Sequence, residues 1–497
     1  AAVELDKAPL KYAGLSYTEV WISEAQERMV LSVPPEKCDT LRAMCEAEGV
    51  LMADLGQFGC ELATRSEQAE PTLVLTWHGQ EVGRVPMDLL HEGIPMPTRE
   101  AVWAATPAKT DAGRSPRIES VGSHASEGFA RSVGFPPDAL PQLLGHPNIA
   151  SKHWIIRQYD HEVQGGSAIK PLVGPQQNGP SDAAALRPKL DSRRGVALAC
   201  GLAPRLSEKA SETGHASDGD SYWATLAAID EAVRNLVCVG GDPARVCLLD
   251  NFCWPSCQDP AQMGSLVRAA EACYDGALAY AAPFVSGKDS LSNQFTTDDG
   301  RVIKVPPTLL ITAMSLVGDV GNCITMDVKR SGDVLLLVGE TTAAMGGSHL
   351  LDVLPHAAAD RTIPKLDLDT GPRNARAVAS LIEAGRVEAA HDCSDGGLLV
   401  AAAEMAFAGG VGLDLDLTAM PGDLDAVTRC FAETPARYLL EIAADKLNEA
   451  KRQLQDAGVP AIEVGRFADH DRLTLAEAQL DAELDALRTA WLRPLDW

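Results

Sequence analysis

Tyr222-Trp223-Ala224-Thr225-Leu226-Ala227-Ala228-Ile229-Asp230-Glu231-Ala232-Val233-Arg234-Asn235-Leu236-Val237 places apolar residues at 223, 226, 229, 232, 233, 236 and 237. That i, i+3, i+4, i+7 spacing predicts a helix with one buried face. Glu231 and Asn235 are four apart, so the helix stacks one a turn above the other, pointing the same way. Gly240-Gly241-Asp242-Pro243 stops it. A buried-strand run, Val246-Cys247-Leu248-Leu249, follows and finishes at Asp250-Asn251. A second helical pattern, Leu266 to Tyr280, leads through Pro283-Phe284-Val285 into a polar turn, Ser286-Gly287-Lys288-Asp289-Ser290. Helix and strand alternate, so the segment is α/β.

Each polar piece has a plain structural explanation of its own. The Glu/Asn pair suits a solvated helix face, and Asp250-Asn251 suits an ordinary turn. Gly287-Lys288 is not a phosphate-binding P-loop, because Asp289 follows the lysine and Ala282 stands where the first glycine belongs. Their conjunction says more. Oxygen ligands from one helix face and two strand-end loops can converge on a hard cation such as Mg²⁺, shared with substrate phosphates.

Composition narrows the class. A chain of 497 residues suits two or three domains, and 46% hydrophobic residues are enough to fill their cores. The formal charge of −26 opposes nucleic acid and anionic membranes. A phosphorylated ligand would need local Lys, Arg, backbone N–H groups or metal. No apolar run is long enough to span a bilayer and no signal-peptide pattern opens the chain, so a cytoplasmic protein is expected. The 12 cysteines are scattered, with Cys253 and Cys257 lacking the second pair of a zinc site, which fits reduced cytosolic thiols.

The chain repeats itself. Glu24, Arg28, Lys37, Gly49, Gly56 and Phe58 recur as Glu433, Arg437, Lys446, Gly458, Gly465 and Phe467, all at one offset (433 − 24 = 409). Matching strand–helix–strand patterns run through both copies, which makes this an internal duplication. The second copy has a large body upstream and the first has almost none, so the first copy is expected to be cut. The expected domains are 1–95 (the tail of one lobe), 96–150 (linker or insert, rich in Pro, Ser, Gly and charge), 151–328 (an α/β lobe) and 329–497 (a second lobe). In the last, His391-Asp392-Cys393-Ser394-Asp395-Gly396-Gly397-Leu398 enters an Ala-rich helix. Its Asp395 suits a capping carboxylate or a plain turn, and His391 suits a core histidine with Asp392 as partner.

Ser23-Glu24-Ala25-Gln26-Glu27-Arg28-Met29, Ala232-Val233-Arg234-Asn235, Leu249-Asp250-Asn251-Phe252, Gly287-Lys288-Asp289-Ser290 and the His391–Leu398 motif together resemble phosphoribosylformylglycinamidine synthase. The resemblance covers most of the chain. It implies an α/β (α+β) fold of AIR-synthase-like lobes, an A-type lobe with a mixed sheet and a B-type lobe of ferredoxin-like strand–helix–strand units, tandemly duplicated. It implies an ATP- and Mg²⁺-dependent ligase of purine biosynthesis. ATP phosphorylates the amide oxygen of formylglycinamide ribonucleotide and ammonia displaces the phosphate.

By position the resemblance gives Glu24, Ala25, Gln26 and Ser290 to substrate, Asp250 and Gly287 to ATP or ADP, and Glu231, Asn235, Asp289 and Asp392 to Mg²⁺. Ala25 lacks the hydroxyl of the usual serine. A further aspartate, early in the A lobe, is replaced around Gly201. The family's catalytic histidine and a glutaminase are both absent, which implies a missing N-terminal half, a separate glutaminase subunit as ammonia source and an incomplete chain inactive alone. Cys323 in Gly321-Asn322-Cys323 lacks the context of a nucleophile elbow and reads as structural. Two other possibilities stay open. One is a structural half that binds an auxiliary ADP and Mg²⁺ without turnover; the other is a phosphotransferase of the selenophosphate-synthetase type.

Overall fold

A computed structural model describes residues 1–23, 28–59, 71–94, 96–103, 135–207, 216–358 and 360–495. The chain divides into two compact units, Ala1–Thr98 and Arg99–Trp497.

In the smaller unit, strands β1 (Ala2–Glu4), β2 (Gly56–Gln57), β3 (Thr72–Trp77) and β4 (Gln80–Pro86) form one sheet in the order β2-β1-β3-β4. His78 and Gly79 join β3 to β4 with φ of +46° and +77°, the backbone that a two-residue hairpin with primed geometry requires. Helices α1 (Tyr17–Ile22) and α2 (Cys38–Ala47) complete it. Ser16 and Glu19 form a reciprocal capping box at the start of α1.

The duplication is visible in the fold. Helix α2 and a helix at Leu447–Asp456 have the same bounds at the offset of 409 (447 − 38), and both are followed by a glycine at φ +67°, Gly49 and Gly458. The left-handed residue just past each helix ends it. The copies differ in one strand. Tyr438–Ile442 is fully buried between two neighbours, whereas its counterpart at 29–33 forms no strand, and Met29 and Val30 are each 84% exposed. The neighbours of Tyr438–Ile442 come from residues 334–392.

The larger unit holds two sheets. The first joins β5 (Ser167–Ile169), β6 (Ala184–Leu186), β7 (Gly195–Gly201), β8 (Val246–Cys253), β9 (Phe284–Ser290) and β10 (Thr308–Val317) in the order β9-β8-β10-β7-β6-β5. Only β8 and β9 pair in parallel. Helix α3 (Ser221–Cys238) starts at Asp220, whose carboxylate accepts from the Tyr222 N–H at 2.8 Å. Helix α4 (Pro260–Tyr280) starts the same way at Asp259, with Pro260 in the first turn. Helix α3 presses onto β7 at Gly201. A Cβ there would come within 2.0 Å of the Ala228 carbonyl and 2.7 Å of the Ala232 nitrogen. Position 201 therefore admits no side chain.

The second sheet joins β11 (Val334–Val338), β12 (Ala389–Asp392), β13 (Gly412–Leu415), β14 (Tyr438–Ile442), β15 (Ala461–Ala468), β16 (Arg472–Leu475) and β17 (Leu480–Glu483) in the order β12-β14-β11-β15-β13-β16-β17. Val334–Val338 is buried at every residue, as a central strand covered on both faces must be. Helices α5 (Thr370–Glu383), α6 (Gly397–Gly409) and α7 (Leu447–Asp456) pack with it. Helix α3 is buried almost all round because it lies between the two sheets.

Two local expectations change. The polar turn at Ser286–Ser290 is the end of strand β9, because parallel pairing to β8 supplies ladder partners that composition does not reveal. Within the stretch expected to be linker or insert, Ala139–Leu144 is helical, with Leu140, Leu143 and Leu144 buried near the helix at Leu484–Leu492.

Candidate functional site

The face of α3 that carries Glu231, Asn235 and Cys238 (i, i+4, i+7) turns toward the motif at His391–Asp395, with Asn235 and Cys238 buried and Glu231 half-buried. Arg234, 3% exposed, joins the lobes there. Its guanidinium donates to Asp230 (2.7 Å), Asp392 (3.0 Å) and the Ser394 hydroxyl (3.0 Å). Asp230 also accepts from the Tyr280 hydroxyl (2.6 Å) and the Ala436 N–H (2.8 Å). Buried charges persist only when partnered this fully.

Around that link lies a set of carboxylates larger than the guanidinium can neutralise. Ligand atoms of Asp182, His391 and Asp392 lie within 4.8 Å of one another. Asp182 Oδ1 accepts from His391 Nδ1 (2.7 Å) and the Asp392 N–H (3.1 Å), while its Oδ2 is buried without a donor among the described residues. Asn235 donates from Nδ2 to the Cys200 carbonyl (3.1 Å), and its Oδ1 is likewise buried without a donor. Burial, then the charges of Asp395 and Asp392, push the Glu231 carboxyl well above the ordinary carboxylate range, although it accepts the Leu202 N–H at 2.8 Å. Acceptor oxygens without donors beside several carboxylates suit a divalent cation with oxygen ligands.

A second group flanks it. Glu433 accepts from the His349 N–H (2.8 Å), His349 Nδ1 (3.1 Å) and the Gly396 N–H (2.8 Å). Burial lowers His349, but Asp395 and Glu433 outweigh that and raise it to about 9. Burial lifts Asp395 to about 6. Lys152 sits near the same carboxylates. Burial lowers its amine while Asp395 and Glu404 oppose the shift, and it donates to the Asn148 carbonyl at 3.0 Å.

Of the residues expected to bind metal, Asp392 belongs to the Asp182–His391 group, Glu231 lies close enough to feel its charge, Asn235 is one turn along the same helix face, and Asp289 does not join them. Asp289 is exposed on β9, separated by β8 and β10 from β7, over which Glu231 and Asn235 lie. Three strand spacings put about 14 Å between those strands. Asp289 instead neighbours Asp250, which burial and then the Asp289 charge push up. Asp250 faces Gly287 across the parallel ladder, and a Cβ on Gly287 would come within 2.2 Å of Asp250 Oδ1, so the glycine makes room for that carboxylate. Ser290 ends β9 and its hydroxyl accepts from Lys288 Nζ. Glu24, Ala25 and Gln26 lie outside the described residues.

Sequence reasoning missed Asp182, Lys152, His349, Glu404 and Glu433 as members of these groups. For Glu433 a signal existed, since it repeats Glu24. Asp182 occupies a short irregular stretch between β5 and β6, where only the folded sheet brings it to β12. His391 has Asp182 as its close partner, with Asp392 farther at 3.7 Å. Cys323 is half-buried, its thiol raised to about 11 by burial and Asp319, so it is no thiolate nucleophile.

The model of the C-terminal domain of AIR synthase related proteins matches residues 1–61 and 330–477, which takes in both copies of the repeat. A "Phosphoribosylformylglycinamidine synthase subunit PurL" of Deinococcus radiodurans is 32% identical over 506 residues, covering 99% of this chain and 61% of that protein. Along nearly its whole length the chain is similar to PurL. A PurL subunit of Rhodopseudomonas palustris is also 32% identical, covering 99% of this chain and 60% of that PurL. The chain thus spans about 60% of the length of these curated PurL relatives. In fold it resembles Thermotoga maritima PurL complexed with FGAR (TM-score 0.51, 16% identity, 70% of this chain and 52% of that one). The AIR-synthase-like lobes expected from the sequence are therefore present. Among the described residues, no helix is long and apolar enough to cross a membrane.

Proposed function

We propose that this chain carries the nucleotide- and cation-binding machinery of a phosphoribosylformylglycinamidine synthase, an ATP-dependent ligase of purine biosynthesis. The observation that carries the proposal is the Asp182–His391–Asp392 group facing the side of α3 that bears Glu231 and Asn235, with Asp182 Oδ2 and Asn235 Oδ1 buried without a donor among the described residues. These four residues would hold Mg²⁺, and Asp182 takes the place that the resemblance gave to a further aspartate near Gly201. Magnesium there would offset charge on the phosphates of ATP and on the transferred phosphoryl group.

The remaining roles belong to the chain's own residues. Lys152, beside Asp395 and Glu404, is placed to take a phosphate oxygen. Asp250 and Gly287, paired across β8 and β9, remain nucleotide candidates, and Ser290, Glu24, Ala25 and Gln26 substrate candidates. Formylglycinamide ribonucleotide is the proposed substrate, with ammonia from a separate glutaminase subunit. Calorimetric titration with ADP, with and without Mg²⁺, tests the binding claim. Binding should need Mg²⁺ and be lost in Asp182→Asn; ADP affinity indifferent to both would overturn it. The auxiliary-nucleotide alternative predicts the same binding and differs in turnover. If Glu231→Gln in the assembled enzyme lowers melting temperature but leaves phosphate release from ATP unchanged, the site is auxiliary.

A further inference from the structure

We propose that His391, braced by Glu404, is a positioning residue for the cation. It pins one oxygen of Asp182 and leaves the other free for the ion. The inference rests on the cation site proposed above.

His391 is 7% exposed on strand β12. Nδ1 lies 2.7 Å from Asp182 Oδ1, and the Asp392 N–H reaches the same oxygen at 3.1 Å. Two donors on Oδ1 fix the rotation of the carboxylate. They also leave Oδ2 as its one acceptor without a donor, on the side where no described residue competes for it. On the far side of the ring, Nε2 lies 3.3 Å from Glu404 Oε2. Glu404 lies 9% exposed in α6, whose other buried residues are all glycine or apolar. A carboxyl group in such a helix is costly unless it has a partner, and His391 is the hydrogen-bond partner the structure gives it. The chain Glu404–His391–Asp182 is therefore a carboxylate–imidazole–carboxylate relay of hydrogen bonds with its last oxygen bare. Outer-shell partners of this kind set ligand orientation, and their loss typically weakens metal affinity by about 10- to 100-fold.

The test is Mn²⁺ binding to the full chain without nucleotide, followed by paramagnetic resonance of the free ion. His391→Gln, Glu404→Gln and His391→Asn are compared, each checked for fold by circular dichroism. An asparagine amide puts an N–H near the place of imidazole Nδ1, so His391→Asn should bind within about threefold of the native chain. His391→Gln should bind about 10- to 100-fold more weakly, and Glu404→Gln more weakly than His391→Asn. Should His391→Gln fail to fold, the order of the other two decides. The inference is overturned if His391→Gln and Glu404→Gln bind as the native chain does, or if Glu404→Gln and His391→Asn are alike. Asp182→Asn separates this from failure of the site itself. If it binds Mn²⁺ like the native chain, there is no cation for His391 to serve.

Discussion

Replacing Arg234 with methionine should unfold the join between the two lobes before it disturbs either lobe's own core. The guanidinium satisfies Asp230, Asp392 and Ser394 at 2.7, 3.0 and 3.0 Å, and it is 3% exposed. Methionine fills much of the same volume, so cavity formation is a small part of the effect. The cost comes from two carboxylates stranded in a dry interface. Breaking a buried pair from one side typically costs about 3–5 kcal/mol. Asp230 keeps the Tyr280 hydroxyl and the Ala436 N–H, and Asp392 keeps the Ser394 hydroxyl, so the lower end, about 3 kcal/mol, is expected. Guanidinium unfolding followed by Trp fluorescence, with Trp254 buried in the larger unit, measures it. Adding Asp230→Asn to Arg234→Met should recover part of the loss, because one stranded charge is gone. A loss below about 1 kcal/mol for the single variant, or no recovery in the double variant, would refute the reasoning.

Three further outcomes follow. Gly201→Asp should destabilise the larger unit by more than about 3 kcal/mol or leave no soluble protein, since a Cβ there meets the Ala228 carbonyl at 2.0 Å; a native melting temperature would contradict the packing. Gly287→Ala forces Asp250 to move, so ADP affinity should fall about tenfold, worth about 1.4 kcal/mol, with little change in melting; an unchanged dissociation constant would remove Asp250 from the nucleotide site. Burial pushes the Glu441 carboxyl up to about 7 from 4.5. A raised carboxyl binds more protons in the folded state, so its contribution favours folding at low pH and is lost as pH rises from 4.5 toward 7. Glu441→Gln should therefore gain stability relative to the native chain across that window, by up to roughly 3 kcal/mol. Parallel stability curves for the two proteins would refute this.

Much of the fold could be read from residue order because the controlling features are local. The apolar period of α3, the glycine after each repeat helix and the apolar run Leu335-Leu336-Leu337-Val338 all act over a few residues. The repeat added long-range information, since the same residue types at a fixed offset implied the same unit twice. Strand β9 was hidden because Ser286–Ser290 is polar and its stability comes from pairing with β8. The site was half visible. Glu231 and Asn235 share a helix face, and Asp392 stands in a recognisable motif. Asp182 lies 209 residues from His391 and meets it only when two sheets close on α3, a contact that no local pattern encodes. Asp289 was misleading for the opposite reason. It lies near Asp250 in space, but across the sheet from the helix that carries the other ligands.

The most direct test of the central claim is a crystal of the chain grown with Mn²⁺, its anomalous scattering mapped at the manganese edge. The account predicts a peak among Asp182 Oδ2, Glu231, Asn235 Oδ1 and Asp392, with ligand distances near 2.2 Å (about the range for hard cations on oxygen). A peak at Asp250 and Asp289 instead, or none at millimolar Mn²⁺, would contradict it.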